Sequence, residues 1–274
     1  MSATIKLSSP ATHEFWEIPV LFEDGHLLAL AKPARLLTSP DRHDLQRPSL
    51  IKLLHAGIAQ GKPWAKLRGL TYLMQAHRLD FETTGVLLLA KSKPALIAVA
   101  NLFGSEKPER IYVVLAQGSP AGDQFEVDVG LAPHPARPGV MCADAKRGKQ
   151  SHTQFEVLER FSACSLLKCR LLTERTHQIR AHLRRAGYPV VGDALYGGRP
   201  LLLSRLKSEY RLKPDRTERP LISVPALHAE QLSLPHPITG AKITITAPWP
   251  RDLTVALKYL RRYAAGARND GAAG

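Results

Sequence analysis

The stretch HRLDFETTGVLLLAKS sets His77, Arg78 and Asp80 within four residues, at the mouth of an apolar run from Gly85 to Ala90. An aspartate held there could act as a nucleophile, a general base or a metal ligand. A structural ion pair with Arg78 or another arginine is the commoner role for an aspartate beside an arginine. Position favours chemistry, because a loop entering a buried strand stands on rigid scaffold at a surface edge, where catalytic groups are usefully held. A second cluster, TERTHQIRAHLRR over 173–185, carries four arginines and two histidines on or near one helix. It reads either as a solvated basic face or as a phosphate-contact surface, since Arg175 and Arg180 bracket the N-terminal turn, where backbone amides favour anions. His177 and His182 are five apart, not the four of a helical metal pair, and no HExxH-type partner accompanies them, which argues against zinc. Tyr112 lies in an alternating strand, where a lone tyrosine is usually core with a wetted hydroxyl; beside a basic cleft it could stack an extruded base.

These residues need elements to hold them. Residues 1–15 read as a flexible arm, and IPVLFEDGHLLALAKPARLLT then reads as two strands joined at Asp24-Gly25. LIKLLHAGI has helical spacing, with Leu50, Leu53, Leu54 and Ile58 on one side, and Gly61 with Pro63 end it. Gly85–Ala90 reads as a fully buried strand, followed by a helix that Pro94 opens. Ile111–Gly118, Phe125–Gly130, His152–Glu159 and Ser165–Leu172 are strand-like, and APHPARPGVMCADAKRGKQ is a basic proline- and glycine-rich loop. THQIRAHLRRAGYP predicts a helix with Thr176 as N-cap, an apolar stripe of Ile179, Leu183 and Ala186, and a stop at Gly187 and Pro189. Strands over 226–234 and 242–246 and a helix over 252–263 follow, and 265–274 reads as a flexible tail. Hairpins outnumber helical crossovers, which predicts an α+β fold on a large mixed, mainly antiparallel sheet with flanking helices and loops. No linker divides residues 16–264, so they are expected to form a single domain.

The chain has 274 residues, 44% hydrophobic and 23% charged, the composition of a globular protein able to bury a sizeable core. Lys and Arg number 38 against 24 Asp and Glu, a net charge of +14, which places nucleic acid first among partners. No apolar run of about 18 residues and no basic amphipathic segment with a wide aromatic face is present, so a membrane is not expected. Cys142, Cys164 and Cys169 make neither a CxxC pair nor an even framework, and the N-terminus lacks the apolar core of a secretory signal. A cytoplasmic location is the resulting expectation.

HRLDFETTGVLLLAKS resembles the signature of the RluA family of RNA pseudouridine synthases, commonly HRLDxxTSGLLLLAK. The likeness extends to LFEDGHLLALAKPARLL, RIYVVLAQG, GKQSHTQFEVLERF, TERTHQIRAHLRRAGYPVVGDALYGG and PALHAEQLSLPHPITG, and so covers roughly residues 18–252. The resemblance implies the pseudouridine synthase fold, with 16–264 as the catalytic domain, and isomerisation of uridine to pseudouridine in ribosomal or transfer RNA, with no cofactor. It implies a catalytic role for Asp80, a base-stacking role for Tyr112, and Arg180 as the basic partner of Asp80. Arg78 would help fill the gap left by a flipped nucleotide, His77 and Ile179 would line the substrate site, and Arg175 and Arg184 would meet RNA phosphates. Thr84 replaces the usual serine and keeps its hydroxyl; Glu174 stands where glycine is common and sets a carboxylate beside the arginines. The family's frequent N-terminal RNA-binding domain has no counterpart in the about 17 residues ahead of the first motif, so RNA selection is expected of the catalytic domain itself, acting as a monomer. Two other readings compete: a non-catalytic RNA-binding factor, disfavoured by the intact HRLD motif, and a metal-dependent phosphodiesterase using Asp80, His77 and His177, disfavoured by the missing carboxylate cluster.

Overall fold

The computed structural model describes residues 4–41, 43–44, 46–105, 108–212 and 216–265. In chain order the strands are β1 (Thr4–Ser9), β2 (Glu14–Glu23), β3 (Leu27–Lys32), β4 (Met74–Gln75), β5 (Thr84–Ala90), β6 (Glu109–Gln117), β7 (Gln124–Asp128), β8 (Leu131–Pro133), β9 (Met141–Ala143), β10 (His152–Arg160), β11 (Cys164–Leu171), β12 (Leu227–Pro235) and β13 (Lys242–Thr246). The helices are α1 (Leu50–Ala59), α2 (Pro63–Leu67), α3 (Lys93–Gly104), α4 (Gln178–Arg185), α5 (Leu203–Leu206) and α6 (Arg251–Tyr263). The class is α+β, with extensive, mainly antiparallel sheet, as the hairpin-rich pattern predicts.

The chain clusters into two compact units, 1–110 with 229–248 and 111–228 with 249–274. Two of the three divisions fall inside β6 and β12, where nothing in the sequence marks them, and the third falls at Pro248 in the short connection between β13 and α6.

In the first unit β1 pairs with β2, β2 with β3 and β3 with β5, each antiparallel. The expectation of a loose arm over 1–15 is corrected here. TIKLSS alternates strictly, and Ile5 and Leu7 are buried opposite Ile18 and Trp16 of β2, so the segment gains both a ladder and an apolar face. Residues 1–3 of that arm and 266–274 of the expected tail lie outside the described residues, while Ala265 bridges to Phe161. The turn between β2 and β3 is closed by Asp24, whose Oδ1 accepts the amides of His26 and Leu27 at 2.8 and 2.7 Å. Leu27, Ala29, Val86, Leu88, Val99, Leu232, Leu234 and Ile245 form one core cluster, in which α3 covers β5. Pro63, expected only as a stop, opens α2 at its first position.

β5 is buried from Gly85 to Ala90, which is why it reads as a continuous apolar run instead of an alternating one. Its first buried residue is glycine for two reasons. Gly85 has φ +120°, and a Cβ there would collide with the Ala229 carbonyl of β12. Gly85→Ala is therefore expected to cost about 2 kcal/mol or more, read as a fall in the urea midpoint at unchanged slope; a midpoint equal to wild type would refute the close approach.

In the second unit β10 pairs antiparallel with β11 and with β7, and a bulge lies between Val157 and Glu159. The basic loop expected between β7 and β10 holds a further short hairpin, β8 with β9. Leu131 and Val140 beside it pack with Ala181 and Tyr196, and the Tyr196 hydroxyl accepts the Met141 amide at 2.8 Å. The hairpin is pinned by side chains distant in sequence, so proline and glycine content alone read it as loop.

Candidate active site

The HRLD segment is fixed by side chains reaching in from β3 and its exit. Lys32 ends β3 and is only 1% exposed. Its Nζ donates to the carbonyls of Pro33 at 2.9 Å, Thr83 at 2.9 Å and Phe81 at 3.3 Å, so an ammonium finds three acceptors for its three protons. Two of those carbonyls belong to the loop that follows Asp80. Burial pushes the Lys32 pKa down to about 7, and the Asp80 carboxylate acts against that, favouring the charged form.

Thr38 clamps the other side of the loop: its hydroxyl donates to the Leu79 carbonyl at 2.9 Å and accepts the Leu79 amide at 3.2 Å. The Thr83 amide closes a turn on the Asp80 carbonyl at 3.2 Å, and the Arg47 guanidinium lies 4.3 Å from the Phe81 ring centroid. Leu79 is buried and Asp80 half-buried, so the side chain before the carboxylate anchors it in the core. His77, expected to line the substrate site, is held by β5 and α3: its Nε2 accepts the Leu88 amide at 3.0 Å, and its ring stacks on Phe103 at 5.2 Å. That bond leaves the ring proton on Nδ1. Arg78 is exposed.

In the second unit the arginine cluster is not a uniformly solvated face. Arg180 is 4% exposed, and Asp193 grips it at two points, Nε to Oδ2 at 2.6 Å and Nη2 to Oδ1 at 2.8 Å. Its guanidinium also lies 4.9 Å from the Tyr196 ring centroid. His182 is fully buried, its Nδ1 2.9 Å from Thr153 Oγ1 and its Nε2 3.2 Å from the Val129 carbonyl, and burial pushes its pKa down. Gln178 is buried with it, donating to Thr153 Oγ1 at 2.9 Å. Ile179 and Leu183 are buried as the stripe predicts, while Arg184 is exposed and Arg175 half-buried, with Nη1 donating to the Glu174 carbonyl at 2.8 Å. Tyr112 is 7% exposed on β6.

The cap of α4 differs from the expected Thr176. His177 takes the cap position in left-handed conformation, φ 54° and ψ 23°, with no side-chain cap bond. Its Nδ1 instead meets the Tyr196 hydroxyl at 2.9 Å. The ring contact across the unit outcompetes the local hydroxyl cap, because it ties α4 to the turn that carries Asp193.

Asp80, Arg78 and His77 thus belong to one unit and Tyr112, Arg180, Ile179, Arg175 and Arg184 to the other. Sequence reading passed over Lys32, Thr38, Asp193 and Tyr196. Their signal was present in the quoted segments, as KPARLLT and VGDALYGG, but without partners in view a strand-end lysine and a loop aspartate look like solvated charges. Among the described residues no group of three or more His, Cys, Asp or Glu side chains gathers in a metal-binding arrangement, and no helix is long and apolar enough to cross a membrane.

The family model described as RNA pseudouridylate synthase matches residues 26–185. A ribosomal large subunit pseudouridine synthase D of Nitrosomonas europaea is 36% identical over 256 residues, covering 91% of this chain and 68% of that one. The protein of the same name from Zymomonas mobilis is 32% identical over 261 residues, covering 93% and 77%. Among solved structures, human RNA pseudouridylate synthase domain containing 4 aligns with TM-score 0.65 at 23% identity, covering 88% of this chain and 92% of that one, a likeness of fold.

Proposed function

This chain belongs to the RNA pseudouridylate synthase family, and from that premise we propose how it isomerises uridine and in which RNA. It is an RNA pseudouridine synthase. In the reaction the bond from uracil nitrogen 1 to the ribose breaks, the base turns in place, and carbon 5 bonds to the same ribose carbon; carbon 5 gives up its proton and nitrogen 1 gains one. Atoms balance without an oxidant or a cofactor.

Asp80 is the catalytic group in this reading, attacking the ribose or removing a proton from it. The observation that carries this is the loop that holds it: a half-buried carboxylate on a segment fixed by Lys32 and Thr38, beside a buried lysine whose charged form it favours. Arg180 is its basic partner, a reading supported by the two-point grip of Asp193, which sets the plane of the guanidinium. Tyr112 and Ile179 pack the extruded base, whose unstacking costs a few kcal/mol. Arg78 fills the gap it leaves, His77 shapes the substrate wall through its hold on β5, and Arg175 and Arg184 meet phosphates. With β1 and the start of β2 added to the expected 16–264, the chain acts as one catalytic domain, as a monomer in the cytoplasm.

The substrate is large-subunit ribosomal RNA, as the names of the relatives suggest; transfer RNA is the alternative. Pseudouridine mapping of total RNA from cells with and without the gene is expected to show one or a few missing sites in large-subunit RNA, restored by the purified protein. Missing sites in transfer RNA alone would replace the substrate assignment, and no missing site in any RNA would overturn the function.

A further inference from the structure

A groove of about 730 Å³ lies in the first unit between the β1–β2 hairpin and helices α1 and α2. Leu7, Phe15, Leu53, Trp64 and Leu67 give it apolar walls. Phe15 and Leu67 are 58% and 60% exposed, unusually open for large apolar side chains. Lys6, Lys52 and Lys62 also line it, all exposed, and among the described residues no Asp or Glu does. Lys6 pairs with Glu17 at 2.9 Å across the solvent-exposed face of the β1–β2 ladder, an ion pair weak enough to yield to a phosphate. Trp64 packs against Gly57, where any Cβ would collide with the indole, and its Nε1 has no hydrogen-bond partner among the described residues.

Apolar aromatic walls beneath a rim of lysines fit one kind of ligand better than others. A duplex presents phosphates, ribose hydroxyls and base edges but keeps the faces of its bases stacked inside, so it would leave Phe15 and Leu67 without a stacking partner. An unpaired strand offers both base faces for the walls and a phosphate every nucleotide for the rim. We propose that this groove binds a single-stranded segment of the substrate RNA, away from the uridine that reacts, with bases against Phe15 and Leu67 and phosphates on Lys6, Lys52 and Lys62. The inference rests on the RNA synthase reading and adds a substrate-selection surface to it.

The β1–β2 hairpin supplies Lys6 and Phe15, so the segment first read as a loose arm becomes one wall of the groove. Binding there adds uniform affinity, the same in the ground and transition states, and changes KM without changing kcat.

The test uses the full chain and a structured RNA substrate carrying an unpaired flank. Lys6→Gln, Lys52→Gln and Lys62→Gln combined are expected to raise both Kd and KM about tenfold at unchanged kcat. The slope of log affinity against log salt should shrink by about 2, at roughly 0.7 per single-strand phosphate contact. Phe15→Ala should raise Kd several-fold with the slope unchanged, because it removes stacking and no charge. Neutralising Lys93, Lys242 and Lys258, exposed elsewhere, is the control for general loss of charge. If the groove triple variant behaves like that control, or if Phe15→Ala binds as wild type, the groove does not hold RNA. Loss of a bound acidic protein with RNA affinity intact would assign the groove to that protein and equally overturn the proposal. Failure of the synthase reading is separate, seen as a wild-type enzyme that makes no pseudouridine in any RNA.

Discussion

Asp80→Asn is expected to reduce pseudouridine formation on the order of 10⁴-fold or more, the scale on which removing a nucleophile or essential base acts. The amide has nearly the same size, so the Thr38 clamp on Leu79 and the turn from Thr83 to the Asp80 carbonyl remain, and both are made by backbone atoms of the loop. Affinity for RNA should stay within a few-fold, because phosphate contacts dominate binding and none needs the carboxylate. Single-turnover assays on the mapped substrate separate these quantities. An Asp80→Asn enzyme that turns over at more than about a hundredth of the wild-type rate would remove Asp80 from the chemistry and favour a non-catalytic RNA-binding role.

Much of the positioning of this aspartate is legible in the sequence. The strand over 85–90 announced itself as an unbroken apolar run, and Pro94 marked the start of α3, where the structure places Ser92 as N-cap, its hydroxyl accepting the Ala95 amide. What stayed hidden shares one physical cause, partners far away in the chain. Lys32 reads as a strand-end lysine that would snorkel to solvent, and the carbonyls of Phe81 and Thr83, 49 and 51 residues on, join that of Pro33 to make its burial tolerable. Arg180 reads as part of a basic helix face until Asp193, 13 residues later, is brought against it. β1 was obscured differently. Its alternation of Ile5 and Leu7 is regular, but the serines, proline and threonine that follow gave the whole segment the look of a polar arm.

Lys32→Met should lower kcat about 100-fold, the loss expected when a catalytic group shifts by roughly an ångström, with little change in KM for RNA. Methionine fills the space but offers no donor to the carbonyls of Pro33, Phe81 and Thr83, and removes the buried cation on which the Asp80 carboxylate acts. The wild-type pH profile carries a second mark of the same residue. With a Lys32 pKa near 7, raising pH through that value removes a proton and leaves two N–H donors for three carbonyls, so turnover should fall on the alkaline side. Stability moves the opposite way. The folded pKa lies below the ordinary 10.5, so the cost of burying the charge is fully present below about 7 and is released as pH rises towards 10.5. The Asp80 carboxylate raises the Lys32 pKa, so in Asp80→Asn it should drop below that of wild type, which nitrogen-15 NMR of the ammonium reads directly. A Lys32 that titrates near its ordinary value in both proteins, or a Lys32→Met enzyme with wild-type kcat and pH profile, would show that the carbonyl cage does not set the position of Asp80.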